Sequence, residues 1–496
     1  MTTFKDATIQ EIDAAMDQAW KAFYIYRKVS LKQRAVFMHS IATEIDNLGD
    51  ELIKIAAHET NLPEARLRSE RTRTVYQLNC YADACEKGDW LETRIDTAIV
   101  DKNPPRPDIR KMLVPLGPVV VFGAANFPFA YSTAGGDTAS ALAAGCPVIV
   151  KAHPMHAETS EMVANAVLKA ALYCYMPPGI FSHVHGSSFE VGKALVEHQF
   201  TKAVGFTGSF TGGKQLFDWA NQRKMPIPVF AEMSSINPVF LFPGRMRNDA
   251  VTVAKQYAAS ITLGVGQFCT NPGLLIAIAN DDLQTFIDTL SEEIKHITPA
   301  EMLNAGIFKN YVEKRANALA QGDVETIAVA DAAAQLNQGA ATIASTSAKA
   351  FMNNPLLHQE VFGPYSLIVR CADMTEMLEV AQHIEGQLTA TLMANEEDIR
   401  NNDVLVETIK NICGRIVMNG VPTGVEVCHS MQHGGPFPAT TDSRFTAVGP
   451  DAIKRFARPV CFQNWDNSLL PDELKDENPL KLCRTVNGEI TKAIVT

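Results

Sequence analysis

A thiol, a carboxylate and a primary amide stand at Cys269, Glu232 and Asn126, three side chains that together can carry covalent acyl chemistry. Cys269 lies in Ile261-Thr-Leu-Gly-Val-Gly-Gln-Phe-Cys-Thr-Asn-Pro-Gly273, where glycines at 264, 266 and 273 let backbone and a small ligand approach the sulfur closely. Glu232 follows the apolar run Val229-Phe230-Ala231, whose desolvation predicts a carboxyl raised toward neutrality. Asn126, just before Phe127-Pro128, adds a primary amide far upstream of both. Taken singly, each has a plain structural role as well: a small buried apolar residue, a salt-bridged acid at a strand end, a turn residue before proline. Their joint presence is what points to assembled chemistry.

Elements that must position these groups are readable from periodicity. Residues 7–90 read as amphipathic helices, with Ile9, Ile12, Met16, Trp20 and Phe23 three and four apart and a break at Asn61-Leu62-Pro63. From Lys111 the run Met-Leu-Val-Pro-Leu-Gly-Pro-Val-Val-Val-Phe-Gly predicts a strand buried on both faces that opens a parallel sheet. Strands at 147–151 and 203–206 then alternate with helices at 137–145, 157–172 and 188–197, the rhythm of a doubly wound nucleotide-binding sheet. Past Glu232, strands at 238–242, 273–279 and 365–369 alternate with helices near 249–263 and 374–383, which predicts a second α/β domain. The segment 95–110, with Pro104-Pro-Arg-Pro107, and the polar tail after Pro459 read either as arms that pair with another subunit or as surface loops.

Composition excludes several function classes. A chain of 496 residues, 46% hydrophobic and 20% charged, exceeds one core and is globular, with no apolar run long enough to span a membrane. A net charge of -11 repels a phosphate backbone, so nucleic acid is not an expected partner. Ten scattered cysteines without a Cys-x-x-Cys pair predict reduced thiols and no metal site. The opening Met-Thr-Thr-Phe-Lys-Asp-Ala has no basic segment leading into an apolar stretch, so a cytoplasmic location is expected.

The turn Val204-Gly-Phe-Thr-Gly-Ser-Phe-Thr-Gly-Gly-Lys214 joins a strand to a helix and suits a pyrophosphate, although it matches neither the usual dinucleotide fingerprint nor the Walker sequence. Asn126-Phe-Pro, Lys151, Phe206-Thr-Gly-Ser209, Glu232-Met, Gly266-Gln-Phe-Cys269 and Glu360-Val-Phe-Gly-Pro364 occur in the order found in aldehyde dehydrogenases, and the chain resembles that superfamily over nearly its whole length. Phe122-Gly-Ala-Ala-Asn-Phe-Pro, Lys151-Ala-His-Pro154, Gly208-Ser-Phe-Thr-Gly-Gly213 and His433-Gly-Gly-Pro-Phe-Pro-Ala-Thr-Thr-Asp442 make it most similar to the 2-oxoglutarate semialdehyde (2,5-dioxopentanoate) dehydrogenases.

The resemblance implies an α/β fold with a Rossmann-type cofactor domain (1–94 and 114–235, with part of 432–458), a catalytic domain (236–431) and a small β oligomerisation arm (95–113 and 459–496), assembled as a homodimer or homotetramer. It makes Cys269 the nucleophile, Asn126 with the Cys269 N–H the oxyanion hole, and Glu232 the base for thioester hydrolysis. Lys151, Ser209, Gly208 and Gly213 are assigned to the adenosine and pyrophosphate, with Glu360 and Phe362 at the nicotinamide end. Pro154 occupies the position where NAD-preferring members often carry a glutamate, so NADP is expected with NAD as the alternative, Lys151 with His153 or His156 supplying charge for the 2′-phosphate. For a carboxylated aldehyde, Arg73 is the expected ligand with Gln77 beside it on one helix face, and Phe127, Phe268 and Phe437 line the tunnel. Two alternatives remain: a general or long-chain aliphatic aldehyde dehydrogenase, whose tunnel lacks a cation, and a silent scaffold, which has no need of an accessible, activated thiolate.

Overall fold

The computed structural model describes residues 4–495. Helices Ile9–Tyr26, Leu31–Asn47, Gly49–Thr60 and Glu64–Lys87 form the lead-in, the first two opened by capping boxes at Thr8/Glu11 and Ser30/Gln33. The break between the third and fourth falls at Asn61, which takes a left-handed φ of 56°, followed by Leu62 and Pro63.

The run beginning at Lys111 is two strands, not the single strand expected. Gly117, at φ 133°, and Pro118, which has no N–H to give a ladder, divide it. Ile109–Pro115 pairs antiparallel with Ala457–Gln463 and Arg94–Asp96, in a five-stranded mixed sheet that continues through Arg484–Val486 to Glu489–Thr491. Val119–Phe122, buried throughout, opens the parallel sheet.

That sheet runs Phe181–Val184, Val148–Lys151, Val119–Phe122, Ala203–Thr207, Val229–Glu232, all parallel. Chain order reverses between Val119–Phe122 and Ala203–Thr207, which leaves a crevice beyond their carboxyl ends, where α/β proteins bind nucleotides. A second sheet of seven strands is ordered Glu325–Val329, Thr342–Ser347, Tyr365–Cys371, Leu274–Ile278, Val239–Leu241, Gln387–Met393, Cys413–Met418, and only its first strand is antiparallel. Among the described residues, no helix is long and apolar enough to cross a membrane.

Candidate active site

A cleft of about 810 Å³ opens at the crevice, with Gly123, Gly208 and Ser209 on one wall and Cys269, Glu360 and Phe362 on the other. Cys269 reaches it through a contorted turn. After helix Pro243–Thr262, Gly264, Val265 and Gly266 take left-handed φ values of 53°, 58° and 65° in succession. Gly266 is required, because a Cβ there would lie 2.3 Å from the Gly363 carbonyl carbon and oxygen. Val265, branched at Cβ, is strained by on the order of 1–3 kcal/mol, a conformation that persists only where neighbours hold it. Asn237 supplies such a hold: wholly buried and itself left-handed at φ 48°, it donates from Nδ2 to the carbonyls of Cys269 and Asn271, each at 2.9 Å.

Glu232 ends the strand Val229–Glu232 and is fixed from both sides, its carbonyl accepting from Gly208 N–H at 3.0 Å and its backbone bridging to Thr440. That bridge carries the returning chain, and His433 with it, across the strand end. His433 is pinned by its own N–H to Thr446 Oγ1 at 2.9 Å. Its Nε2 stands 3.0 Å from Glu232 Oε1 and 3.7 Å from Cys269 Sγ, and the three ligand atoms lie within 4.8 Å of one another. Asn126 lines the same cleft, its Nδ2 donating to the Gln267 carbonyl at 3.1 Å.

The electrostatics correct one expectation. Burial does push the Glu232 carboxyl up, but the charge and hydrogen bond of His433 outweigh it and hold the group below its ordinary value. Glu232 is therefore an ionised base at neutral pH. The Cys269 thiol is raised well above its ordinary value by burial and then by the Glu232 charge, so it rests protonated beside a carboxylate able to take its proton.

On the cofactor wall, Ser209 caps helix Phe210–Gln222 by accepting from Gly212 N–H at 3.2 Å. Gly212, rather than Gly213, lines the cleft; Gly213 is buried, and a Cβ there would meet Met233 Cγ at 2.6 Å, so it serves helix–strand packing. Lys151 ends its strand half-buried. His153 and His156 do not supply the expected charge: burial lowers both, His153 well below its ordinary value, and His156 Nε2 lies 2.8 Å from the Ala124 carbonyl. A carboxylate is also present after all, since Asp6 accepts from Ser187 and Ser188 N–H at 2.8 and 3.1 Å and acts electrostatically on Lys151. Burial pushes Glu360 up to about 7 against a Ser234 hydrogen bond.

On the opposite side of Cys269, Phe127 and Phe268 meet edge-to-face at 5.7 Å, with the Arg66 guanidinium over both rings at 5.0 and 4.9 Å. Arg73 turns its Nη1 to the Val425 carbonyl. Gln77 is not beside it in a tunnel; it is buried, with Nε2 donating to the Ala130 carbonyl at 3.4 Å. Phe437 lies on the cofactor side, lining the cleft with its ring 6.0 Å from Phe210. Sequence reasoning missed His433 and Asn237. The one signal for each was an imidazole opening the Gly-Gly-Pro motif and an Asn-Pro pair suited to a left-handed turn.

Comparison with known proteins agrees with this geometry. The family model described as "Aldehyde dehydrogenase family" matches residues 1–446. The chain is 45% identical over 491 residues to the alpha-ketoglutaric semialdehyde dehydrogenase of Acinetobacter baylyi, covering 99% of this chain and 93% of that one. It is 47% identical over 487 residues to alpha-ketoglutaric semialdehyde dehydrogenase 2 of Azospirillum brasilense, covering 98% and 93%. Among solved structures, a Thermus 1-pyrroline-5-carboxylate dehydrogenase with bound NAD superposes with a TM-score of 0.77 at 20% identity, over 92% of this chain and 86% of that one. A Methanocaldococcus jannaschii glyceraldehyde-3-phosphate dehydrogenase complexed with NADP gives 0.78 at 18%, over 93% and 96%; both likenesses speak to the fold.

Proposed function

The chain belongs to the aldehyde dehydrogenase family, and from that premise we propose that it oxidises 2-oxoglutarate semialdehyde to 2-oxoglutarate with NAD(P) as hydride acceptor. The observation that carries the reading is the convergence of Cys269 Sγ, His433 Nε2 and Glu232 Oε1 at a cleft of nucleotide dimensions.

Each step has a group suited to it. Cys269 Sγ bonds to the aldehyde carbon while its proton passes to the Glu232 carboxylate, directly or through His433 Nε2, which touches both. The oxyanion that forms is held by the Asn126 amide and the Cys269 N–H. When bound in the cleft, a nicotinamide would supply the hydride acceptor, and loss of hydride from the thiohemiacetal carbon would leave Cys269 as a thioester. Glu232, having released its first proton, takes a second from water; the hydroxide adds to the thioester, the C–S bond breaks, and carboxylate and thiol are restored. Oxidation of one aldehyde thus consumes one water and releases two protons with the reduced nicotinamide.

The residues present suit a dinucleotide. Gly208 has no room for a Cβ, which would meet the Phe206 ring at 2.6 Å, and Ser209 caps the helix whose N-terminus would hold the pyrophosphate. We assign Glu360 and Phe362 to the nicotinamide ribose and ring. NADP remains the proposed cofactor on the strength of Lys151 and Pro154, with NAD accepted, because both histidines are neutral and Asp6 opposes a 2′-phosphate. The domains are proposed to follow the two parallel sheets. Ile490 of the mixed sheet and Trp465, Leu469 and Ile494 of the chain flanking its strands are exposed, which suits an oligomerisation arm, and ten free thiols suit the reducing cytoplasm.

His433→Gln keeps an amide in place of the ring but removes the charge that holds Glu232 low. The base must then be ionised against uncompensated burial, so the acid limb of the kcat profile moves to higher pH, and kcat at neutrality falls by about 10- to 100-fold. A profile of kcat between pH 5 and 9 reads both; an unshifted acid limb removes His433 from the proton path. The function as a whole is tested by following reduced nicotinamide with NAD and NADP against 2-oxoglutarate semialdehyde, pentanal and a long-chain aldehyde. Equal or better kcat/KM for the uncharged aldehydes rejects the proposed substrate.

A further inference from the structure

We propose that Arg73 and Arg415 form a two-guanidinium clamp that receives the far carboxylate of the substrate and sets the enzyme's preference for carboxylated aldehydes. The clamp deepens the function proposed above and rests on it.

The two arginines come from unrelated parts of the fold and converge on one short loop. Arg73 projects from helix Glu64–Lys87 and donates Nη1 to the Val425 carbonyl. Arg415 projects from the edge strand Cys413–Met418 and donates Nη1 to the Gly424 carbonyl at 2.9 Å and Nη2 to the Pro422 carbonyl at 2.6 Å. Both guanidiniums are oriented by backbone carbonyls, which are neutral; the charge of buried Glu70 acts on Arg73, and neither guanidinium forms a salt bridge among the described residues. Each also keeps a buried N–H with no partner, Arg73 at Nη2 and Arg415 at Nε. Leaving a buried donor unsatisfied is costly, more so when it is charged, and two such donors at one loop mark a place for an acceptor that arrives with a ligand.

The place is next to the reacting sulfur. Tyr131 lies within reach of the charge of both arginines, its ring centre is 6.2 Å from the His433 ring, and the Arg415 charge acts on Cys269 itself. Phe127 packs against Tyr131 at 5.3 Å and against Phe268 at 5.7 Å, so the groups beside the two arginines are apolar rings suited to a methylene chain. Arg66 adds a third cation with an unpartnered buried Nη1. The buried counter-charge is Glu70, which acts on Arg66 and Arg73; its Oε1 accepts from Phe129 and Ala130 N–H at 2.8 and 3.0 Å, and its Oε2 has no hydrogen-bond partner among the described residues. Glu426, next along the chain from the loop, is exposed and accepts from its neighbour Val427 N–H at 3.1 Å. Three guanidiniums therefore stand against one buried carboxylate, Glu70, and a substrate carboxylate with two oxygens matches paired guanidinium donors.

The test compares wild type with Arg73→Met, Arg415→Met and the double variant, each assayed with 2-oxoglutarate semialdehyde and with pentanal. Glutarate serves as a competitive probe of the carboxylate site. The expected result is that the ratio of kcat/KM for the two aldehydes falls about 10- to 100-fold in each single variant, through KM of the carboxylated one, and that glutarate inhibition weakens in parallel. Arg415→Lys should recover part of the preference, because a point charge returns without the fork. Should Arg415→Met not fold, Arg415→Gln, which keeps a donor for the loop carbonyls, carries the same comparison. If wild type prefers the carboxylated aldehyde and the variants keep that preference, or lose kcat equally on both aldehydes, the clamp is overturned and the substrate assignment stands. If wild type shows no such preference and glutarate does not compete, both fall together.

Discussion

With Cys269 replaced by alanine, aldehyde oxidation falls by about 10⁴-fold or more, and no reduced nicotinamide appears even in a first-turnover burst. The size of the loss follows from the division of labour around the sulfur. Asn126, Glu232 and His433 all act on charge or protons at an adduct that forms only on Sγ, so without the thiol they have nothing to stabilise or deprotonate. Other cysteines cannot substitute, because the turn at Gly264, Val265 and Gly266 and the Asn237 clamp aim this residue alone at the trio. Stopped-flow absorbance with excess enzyme reads the burst, and a thermal melt matching wild type shows that the loop has kept its place. Activity within tenfold of wild type would take Cys269 out of the reaction.

Glu232→Gln has a different signature. The amide keeps the side chain's volume and an oxygen for His433, yet it cannot receive a proton. Steady-state kcat is expected to fall by about 10²- to 10⁴-fold, the range for a positioned general base. One equivalent of reduced nicotinamide per active site should nevertheless form, slowly, before turnover stalls, because hydride leaves the thiohemiacetal without help from Glu232 whereas water needs it. The wild-type carboxyl is held below its ordinary value, so the wild-type base stays charged through neutrality and is lost only as pH falls through that lowered value. A stoichiometric burst followed by stalling, read by rapid-quench kinetics, separates this role from a merely structural one, which slows every turnover alike.

Much of this arrangement was legible before any coordinates. Cys269, Glu232 and Asn126 announce themselves by residue type and by the glycines, proline or strand beside them, and the alternation of strands and helices around them follows from local periodicity. What stayed hidden depends on contacts distant in sequence. His433 matters because the chain returns past Thr440 against the end of the Val229–Glu232 strand, and nothing local to residue 433 says so. The Glu232 carboxyl shows the same limit: its apolar flank correctly implied desolvation, but the partner that reverses the net shift lies in another segment. Gly213 was expected at the cofactor, but Met233, just past the neighbouring strand, packs where its Cβ would be, and Gly212 lines the cleft instead. No motif or periodicity in the sequence marks Arg415. Only the loop carbonyls of Pro422 and Gly424 reveal which way it points.

The account depends most on a transient bond between one sulfur and the oxidised substrate carbon. Rapid-quench peptide mass spectrometry of Glu232→Gln, mixed with 2-oxoglutarate semialdehyde and the nicotinamide it uses, addresses that bond directly. The predicted result is an acyl group on the peptide containing Cys269, equal in amount to the reduced nicotinamide formed and lacking when the nicotinamide is omitted. Reduced nicotinamide accumulating in that first turnover with Cys269 unmodified would contradict it.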